Sequence, residues 1–156
     1  MTFHPSTVRA AITVAAGLAI ASLTTPSWAA LGGTADSVSA DRTALRGMLR
    51  STPQVQYDVQ EIDSGIRTVR EYLTRAGQVF AVTWHGAAPP DFQQLLGNYF
   101  AQAHAATQAT HAAAQRRFAI AQPGFVLQSV ARQRDFHGVA YVPMLVPAGV
   151  DVSQLP

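Results

Sequence analysis

Two histidines are the strongest candidates for a chemical role in this chain. Each lies beside an aromatic residue at the end of a predicted strand. His85 follows Trp84, and His137 follows Phe136. If those strands pair, the two imidazoles would lie together with Tyr141 nearby and form a small polar site. Imidazole changes its charge near neutral pH, so such a site could bind or exchange protons. The favoured alternative is that both histidines are edge or turn residues.

A wider candidate surface follows from the stretch VREYLTRAGQVFAVTW at residues 69–84. Alternation along its first strand places Arg70 and Tyr72 on one face, and these residue types commonly recognise ligands. Trp84 is interpreted as a core residue, with surface recognition as the alternative. The candidate ligand or partner surface therefore consists of Arg70, Tyr72, Trp84, His85, His137 and Tyr141.

The remaining polar groups predict no catalytic, cofactor or metal residues. His104 and His111 are seven positions apart, so on a helix they are separated by about 10.5 Å of rise and could not share one metal ion. Asp58, Glu61 and Asp63 lie near one strand end, where solvation is favoured over weak cation binding. The chain contains no HExxH sequence, no GxSxG elbow and no glycine-rich phosphate loop.

Alternation of apolar and polar residues predicts the strands that position these groups. Three strands are expected at Val55–Ile62, Ile66–Leu73 and Gln78–His85, joined by short turns as an antiparallel meander. On the third strand the alternation places Phe80, Val82 and Trp84 on one face.

An amphipathic helix is predicted to begin at Asp91, a good N-cap residue with Gln94 three positions later. Its apolar stripe consists of Phe92, Leu95, Leu96, Tyr99, Phe100 and Ala103. Gly97 in mid-helix suggests close approach to a neighbour. The Ala-rich segment 101–115 continues as a solvated helix that ends near Arg116 and Arg117.

Two more strands are expected at Phe125–Ala131 and Phe136–Val142. The predicted fold is therefore α+β: an antiparallel sheet of about five strands, built as a β-meander, then a helix, then two strands, with the main amphipathic helix packed on one face.

The N-terminal segment has the pattern of a secretory signal. A basic start at Arg9 precedes the apolar run 10–23, and small residues at Ser27 and Ala29 suit cleavage after Ala29. An uncleaved anchor is the alternative, although the apolar run is shorter than the roughly 20 residues that span a membrane. The expected organisation is a signal peptide at 1–29, a lead at 30–53, a single domain at 54–150 and a tail at 151–156. Within the lead, 36–49 predicts a short helix that ends at 51–53.

Composition excludes several classes of function. Only 13% of residues are charged and the formal net charge is +2, which gives little attraction to nucleic acid or anionic lipid. The chain has no cysteine, which excludes disulfides, thiol catalysis and a lipid-modified N-terminal cysteine. We expect no nucleic-acid partner and no stable membrane insertion once the signal is removed.

Several segments occurring in one order resemble a known family. They are ALGG at 30–33, VREY at 69–72, VFAVTW at 79–84, PPDFQQLLGNYF at 89–100 and FHGVAYVPMLVPAGV at 136–150. Together they resemble the exported proteobacterial proteins catalogued as domain of unknown function 2844. The Ala/Gln/His-rich stretch that follows Ala101 and the loop at 85–88 depart from that pattern. The resemblance implies an exported, single-domain protein and carries no catalytic role to any residue.

The sequence thus predicts a non-enzymatic periplasmic or secreted binding module that engages another envelope protein or a small ligand. A structural or assembly role in the cell envelope is the alternative. An enzyme would require His85 or His137 to act in turnover.

Overall fold

The computed structural model describes residues 31–34, 47–109 and 116–155. The predicted signal peptide, most of the predicted short helix at 36–49 and His111 lie outside the described residues. No helix within the described ranges is both long enough and apolar enough to cross a membrane.

Seven strands and two helices make up the described part of the chain. In chain order they are β1 (Met48–Pro53), β2 (Tyr57–Asp63), β3 (Arg67–Thr74), β4 (Val79–Gly86), α1 (Phe92–Leu96), α2 (Phe100–Ala109), β5 (Arg117–Gln122), β6 (Phe125–Arg132) and β7 (Asp135–Tyr141). Short 3₁₀ turns occur at Gly97–Tyr99, Pro143–Leu145 and Val152–Gln154.

The strands form one sheet in the order β1-β2-β3-β4-β7-β6-β5. Every pairing between these strands is antiparallel. The two helices lie between β4 and β5 in sequence, and the chain then returns so that β7 pairs with β4. The predicted antiparallel sheet with an inserted helix is confirmed, but the prediction of about five strands is wrong.

Both additional strands lie at the edges of the sheet. β1 replaces the end of the predicted short helix. It pairs with β2 in a register that places Arg50 opposite Glu61. Most of its side chains are exposed. Because neither face of β1 is well buried, its sequence carries no alternation to reveal it. β5 begins at Arg117, which was expected at a helix C-terminus, and its partner β6 supplies the hydrogen bonds that make it a strand.

The first hydrophobic core lies between the sheet and α1. Asp91 caps α1 by accepting a hydrogen bond from the Gln94 backbone N–H at 3.1 Å. Leu95 and Leu96 are almost fully buried. The indole of Trp84 is 2% exposed and meets the ring of Phe92 edge-on, with centroids 5.4 Å apart. The expected helix cap, apolar stripe and burial of Trp84 are confirmed.

The predicted continuous helix is wrong at Gly97. This glycine has φ 47° and ends α1, because few other residues adopt a positive φ without strain. The chain resumes as α2 after a 3₁₀ turn, and Ala103 is the buried residue of α2. The expectation of a solvated helical extension is confirmed as far as Ala109.

A β-bulge reverses one predicted side-chain direction. Tyr72 pairs with Ala81, whereas Leu73 pairs with Val79, so Phe80 is an extra residue on β4. Phe80 consequently packs on the face opposite to Val82 and Trp84, within 6.2 Å of the Tyr72 ring between centroids. The prediction that Phe80, Val82 and Trp84 share a face is therefore wrong for Phe80.

A second, smaller core lies on the other face of the sheet, which we call the outer face. Its buried members are Val59, Tyr72, Phe80 and Ala81. The segment after β7, residues 142–155, covers them by packing Leu145, Val146, Val150 and Leu155 against them. This segment, which includes residues 151–155 of the predicted tail, is thus a layer over the outer face.

Candidate functional site: a cleft on the outer face

Strand register places the candidate site residues in rows across the outer face. Directly paired residues of antiparallel strands project their side chains to the same face. The first row consists of Asp63, Thr68, His85, His137, Val130 and Arg117. The second row consists of Glu61, Arg70, Thr83, Val139, Gln128 and Ala119.

The C-terminal segment converts these two rows into a cleft. Val152, Ser153 and Leu155 form one wall, and the two rows form the floor and the far side. The cavity measures about 530 Å³. Cavities that hold small ligands are typically about 300–1,000 Å³ and combine an apolar lining with a few polar groups. The outer-face cleft has this size and this mixture.

Two histidines and an aspartate form a cluster at one end of the cleft. His85 and His137 are directly paired, with ring centroids 6.3 Å apart. Asp135 lies two residues before His137 on the same face of β7, and its Oδ1 accepts a hydrogen bond from His137 Nδ1 at 2.9 Å. The same oxygen lies 3.8 Å from His85 Nε2.

Electrostatics favour the charged form of this aspartate. The hydrogen bond from His137 lowers the pKa of Asp135, and desolvation opposes this effect. The charge of Arg132, and that of His137 or His85 when protonated, lowers the pKa further. The cluster therefore presents a carboxylate between two imidazoles. Such a cluster can accept protons, orient a polar ligand or hold a cation.

Two arginines give the cleft its remaining charge. Arg70 Nε donates to Glu61 Oε2 at 2.6 Å, so this guanidinium is held against the floor by a cross-strand ion pair. Arg117 projects from the edge strand β5 and is exposed. These two arginines can donate hydrogen bonds to carboxylate, phosphate or hydroxyl oxygens of a ligand.

The two tyrosines of the predicted surface have structural roles. Tyr72 is fully buried, and its hydroxyl lies 3.2 Å from Thr83 Oγ1. Burial raises the pKa of Tyr72, although the hydrogen bond to Thr83 partly opposes this. Tyr141 packs against the second core and lines an adjoining hollow that shares Gln128, Val139, Val152 and Ser153 with the cleft.

Of the six predicted surface residues, the structure brings together Arg70, His85 and His137 at the outer-face cleft. Trp84 contributes to the cleft floor, but its ring belongs to the helix-facing core. The alternative in which paired strands bring His85 beside His137 is the one observed. The favoured interpretation of both as edge or turn residues is wrong, because β4 and β7 pair inside the sheet. Tyr141 is not at that pair and lies opposite Ala81.

Several residues of the cleft and of its histidine cluster were not predicted from the sequence. Asp135 has a local signal, because residues i and i+2 of a strand share a face and this aspartate precedes His137 by two positions. Arg117 and Gln128 have no such signal, since their approach depends on the pairing of β5, β6 and β7. Ser153 joins the cleft through a segment with no regular periodicity.

The other polar groups considered from the sequence have local partners or lie apart from the cleft. His104 is exposed on α2, with its ring 5.8 Å from that of Phe100. Asp58 forms an ion pair with Arg75, and Asp63 accepts a hydrogen bond from the Gly65 backbone. Within the described ranges, no three histidine, aspartate or glutamate side chains are arranged to hold a metal ion.

Comparison with known proteins agrees with the segments identified in the sequence. Residues 27–155 match the family described as "Protein of unknown function (DUF2844)". No curated protein and no solved structure matches the chain. The match includes every strand and helix described above as well as the C-terminal wall of the cleft. The chain therefore belongs to the DUF2844 family.

Proposed function

We propose that this protein is an exported binding module and that its ligand occupies the outer-face cleft. The observation that carries the proposal is the convergence of polar side chains from five strands, β3 to β7, on a cavity of about 530 Å³. Substitutions at exposed positions usually change stability by less than about 0.5 kcal/mol, so folding alone does not require these polar residues to be grouped. Their grouping around a concavity is what supports a ligand.

The chemistry of the lining favours a small polar ligand with oxygen acceptors and a partly apolar body. Arg117, Gln128 and the histidine cluster provide polar contacts around the opening. Val130, Val139 and Leu155 provide the apolar contacts. A carboxylate- or hydroxyl-bearing molecule would match both parts of the lining.

Two of the hydroxyl groups that line the cleft have hydrogen-bond partners other than histidine, which counts against a nucleophilic role for them. Ser153 Oγ donates to Asp151 Oδ1 at 2.7 Å, and Thr83 Oγ1 lies against the Tyr72 hydroxyl. Nucleophilic catalysis needs a hydroxyl hydrogen-bonded to a general base such as histidine. These two hydroxyls are directed to other partners.

Site-specific photo-crosslinking in the cell of origin tests the ligand proposal. A photoreactive amino acid at Gln128 reports on the cleft, and the same amino acid at Gln93 is the matched control. Both positions are exposed glutamines, but Gln93 lies on α1, on the other side of the sheet. We expect a discrete mass increase of small-molecule size on the Gln128 protein and none on the Gln93 protein.

Three other results would count against a small ligand. A protein-sized adduct at Gln128 would identify a protein partner in the cleft instead. Equal adducts at both positions, or none at Gln128 under native expression, would refute the assignment of the cleft as the binding site.

We propose export on the strength of the N-terminal pattern described from the sequence. N-terminal sequencing of the protein recovered from periplasmic and culture fractions tests this. We expect the recovered chain to begin at Ala30. Recovery of a chain that begins at Met1 in the membrane fraction would favour the anchor instead.

A further inference from the structure

The paired histidines of the outer-face cleft have the placement of metal ligands. His85 and His137 lie directly opposite each other on β4 and β7, with their rings inclined at 41°. Their side chains are 75% and 43% exposed, so an ion in solution can reach both rings. Neutral imidazole is a good ligand for zinc, copper and nickel ions.

Asp135 orients one of these rings for coordination. A carboxylate oxygen only accepts hydrogen bonds, so the 2.9 Å contact assigns the proton to His137 Nδ1. In neutral His137 the lone pair is then on Nε2, which is free of that hydrogen bond. Histidines that bind metals commonly donate their other ring nitrogen to a carboxylate in this way.

The separation of the rings is compatible with one shared ion. A Zn–N bond is about 2.0–2.1 Å long, which places the centroid of a ligating ring about 3.2 Å from the metal. Two rings on one ion therefore have centroids at most about 6.4 Å apart, and about 5.2 Å apart at a tetrahedral angle. The observed separation of 6.3 Å lies just inside the upper limit, so the two rings must move about 1 Å closer together to share a tetrahedral ion.

We propose that His85 and His137 bind one divalent transition-metal ion, with Asp135 as the residue that positions His137. Because the described residues contain no ready three-ligand cluster, water or a ligand in the cleft completes the coordination. The carboxylate of Asp135, 3.8 Å from His85 Nε2, offsets the repulsion between the ion and the arginines of the cleft.

Titration with Zn²⁺ alone tests the site. The full chain, purified without a histidine tag and treated with chelator, is compared by calorimetry with the variants H85Q, H137Q, D135N and H104Q. We expect one Zn²⁺ per chain and at least a tenfold loss of affinity in H85Q and in H137Q. D135N should lose about 10–100-fold, the usual effect of removing a carboxylate that orients a ligating histidine. H104Q is the matched control and should bind like the unmodified protein.

Long-range ¹H–¹⁵N spectra of the histidine side chains provide a second measurement that depends on no variant. Coordination should shift one ring nitrogen of His85 and of His137 while leaving His104 unchanged. Retained affinity in both H85Q and H137Q, or a loss in H104Q equal to theirs, would overturn the proposal. The titration uses no organic ligand, so a failure to bind Zn²⁺ would not contradict the proposed binding of a small ligand in the cleft. Likewise, a negative crosslinking result would not contradict the metal site.

Discussion

Gly138 provides a direct test of how tightly β7 is packed against the rest of the sheet. A Cβ atom at this position would overlap the backbone carbonyl oxygen of Gln128 and the Cζ2 atom of Trp84, and it would lie 3.0 Å from the Cα of Ser129. Neither main neighbour can move easily, because one is sheet backbone and the other is a buried indole. We therefore expect Gly138→Ala to destabilise the fold.

The magnitude follows from two opposing effects. Overpacking a well-packed core costs about 1–3 kcal/mol, and the rigid neighbours place Gly138→Ala at the upper end of that range. Replacing glycine by alanine also reduces the entropy of the unfolded chain, which contributes about 0.4–1 kcal/mol in the opposite direction. The expected net loss in the free energy of unfolding is about 2 kcal/mol. With a urea dependence of about 1–3 kcal/mol per M, the unfolding midpoint should fall by about 0.7–2 M.

Urea denaturation followed by circular dichroism and tryptophan fluorescence measures this change. Gly124→Ala is the matched control, since its Cβ would meet only Tyr99 Cε1 at an ordinary 3.8 Å. The control should be as stable as the unmodified protein or slightly more stable. If Gly138→Ala unfolded at the same urea concentration as Gly124→Ala, the described packing of Trp84 across β7 would be refuted.

Three further predictions concern a helix cap, an ion pair and the C-terminal segment. Asp91→Ala removes the side-chain acceptor that caps α1, so the free energy of unfolding should fall by about 1 kcal/mol. An unchanged midpoint of urea unfolding would contradict the role of Asp91 as a cap. Glu61 and Arg70 are partly exposed, so their ion pair should contribute little. A double-mutant cycle with E61Q and R70Q should give a coupling energy below about 1 kcal/mol. A larger value would indicate a more desolvated pair. Hydrogen bonds from the Ser153 side chain and backbone lower the pKa of Asp151 below its ordinary value of 3.8. The stability that this gives is present above the ordinary pKa and is lost as the pH falls through the lowered value. Carboxyl NMR should show this titration shifting upward in S153A, and an unchanged titration would contradict it.

Much of the fold could be predicted from local patterns in the chain. Strands β2, β3, β4, β6 and β7 were all expected within two residues of their observed bounds. They could be predicted because their alternation and their glycine-containing turns are properties of short segments. The N-cap at Asp91 is equally local, since cap and partner are three residues apart.

The edge strands could not be predicted in the same way. β1 is a strand because β2 supplies its hydrogen-bond partners, and its exposed side chains follow no period of two. The Phe80 bulge is likewise invisible in the sequence, because its cause is the mismatch between two paired strands. Such features depend on pairing partners and therefore on the tertiary structure.

The sequence by itself determined the class of the fold, the cap and apolar stripe of the helix, the core position of Trp84 and the presence of two histidines at strand ends. Only the tertiary structure decided that Arg117 and Gln128 join those histidines and that the C-terminal segment walls the cleft. The physical reason is the separation in sequence between the residues that interact. Periodicity and capping involve residues a few positions apart, whereas a cleft forms from the register of strands that are distant in sequence.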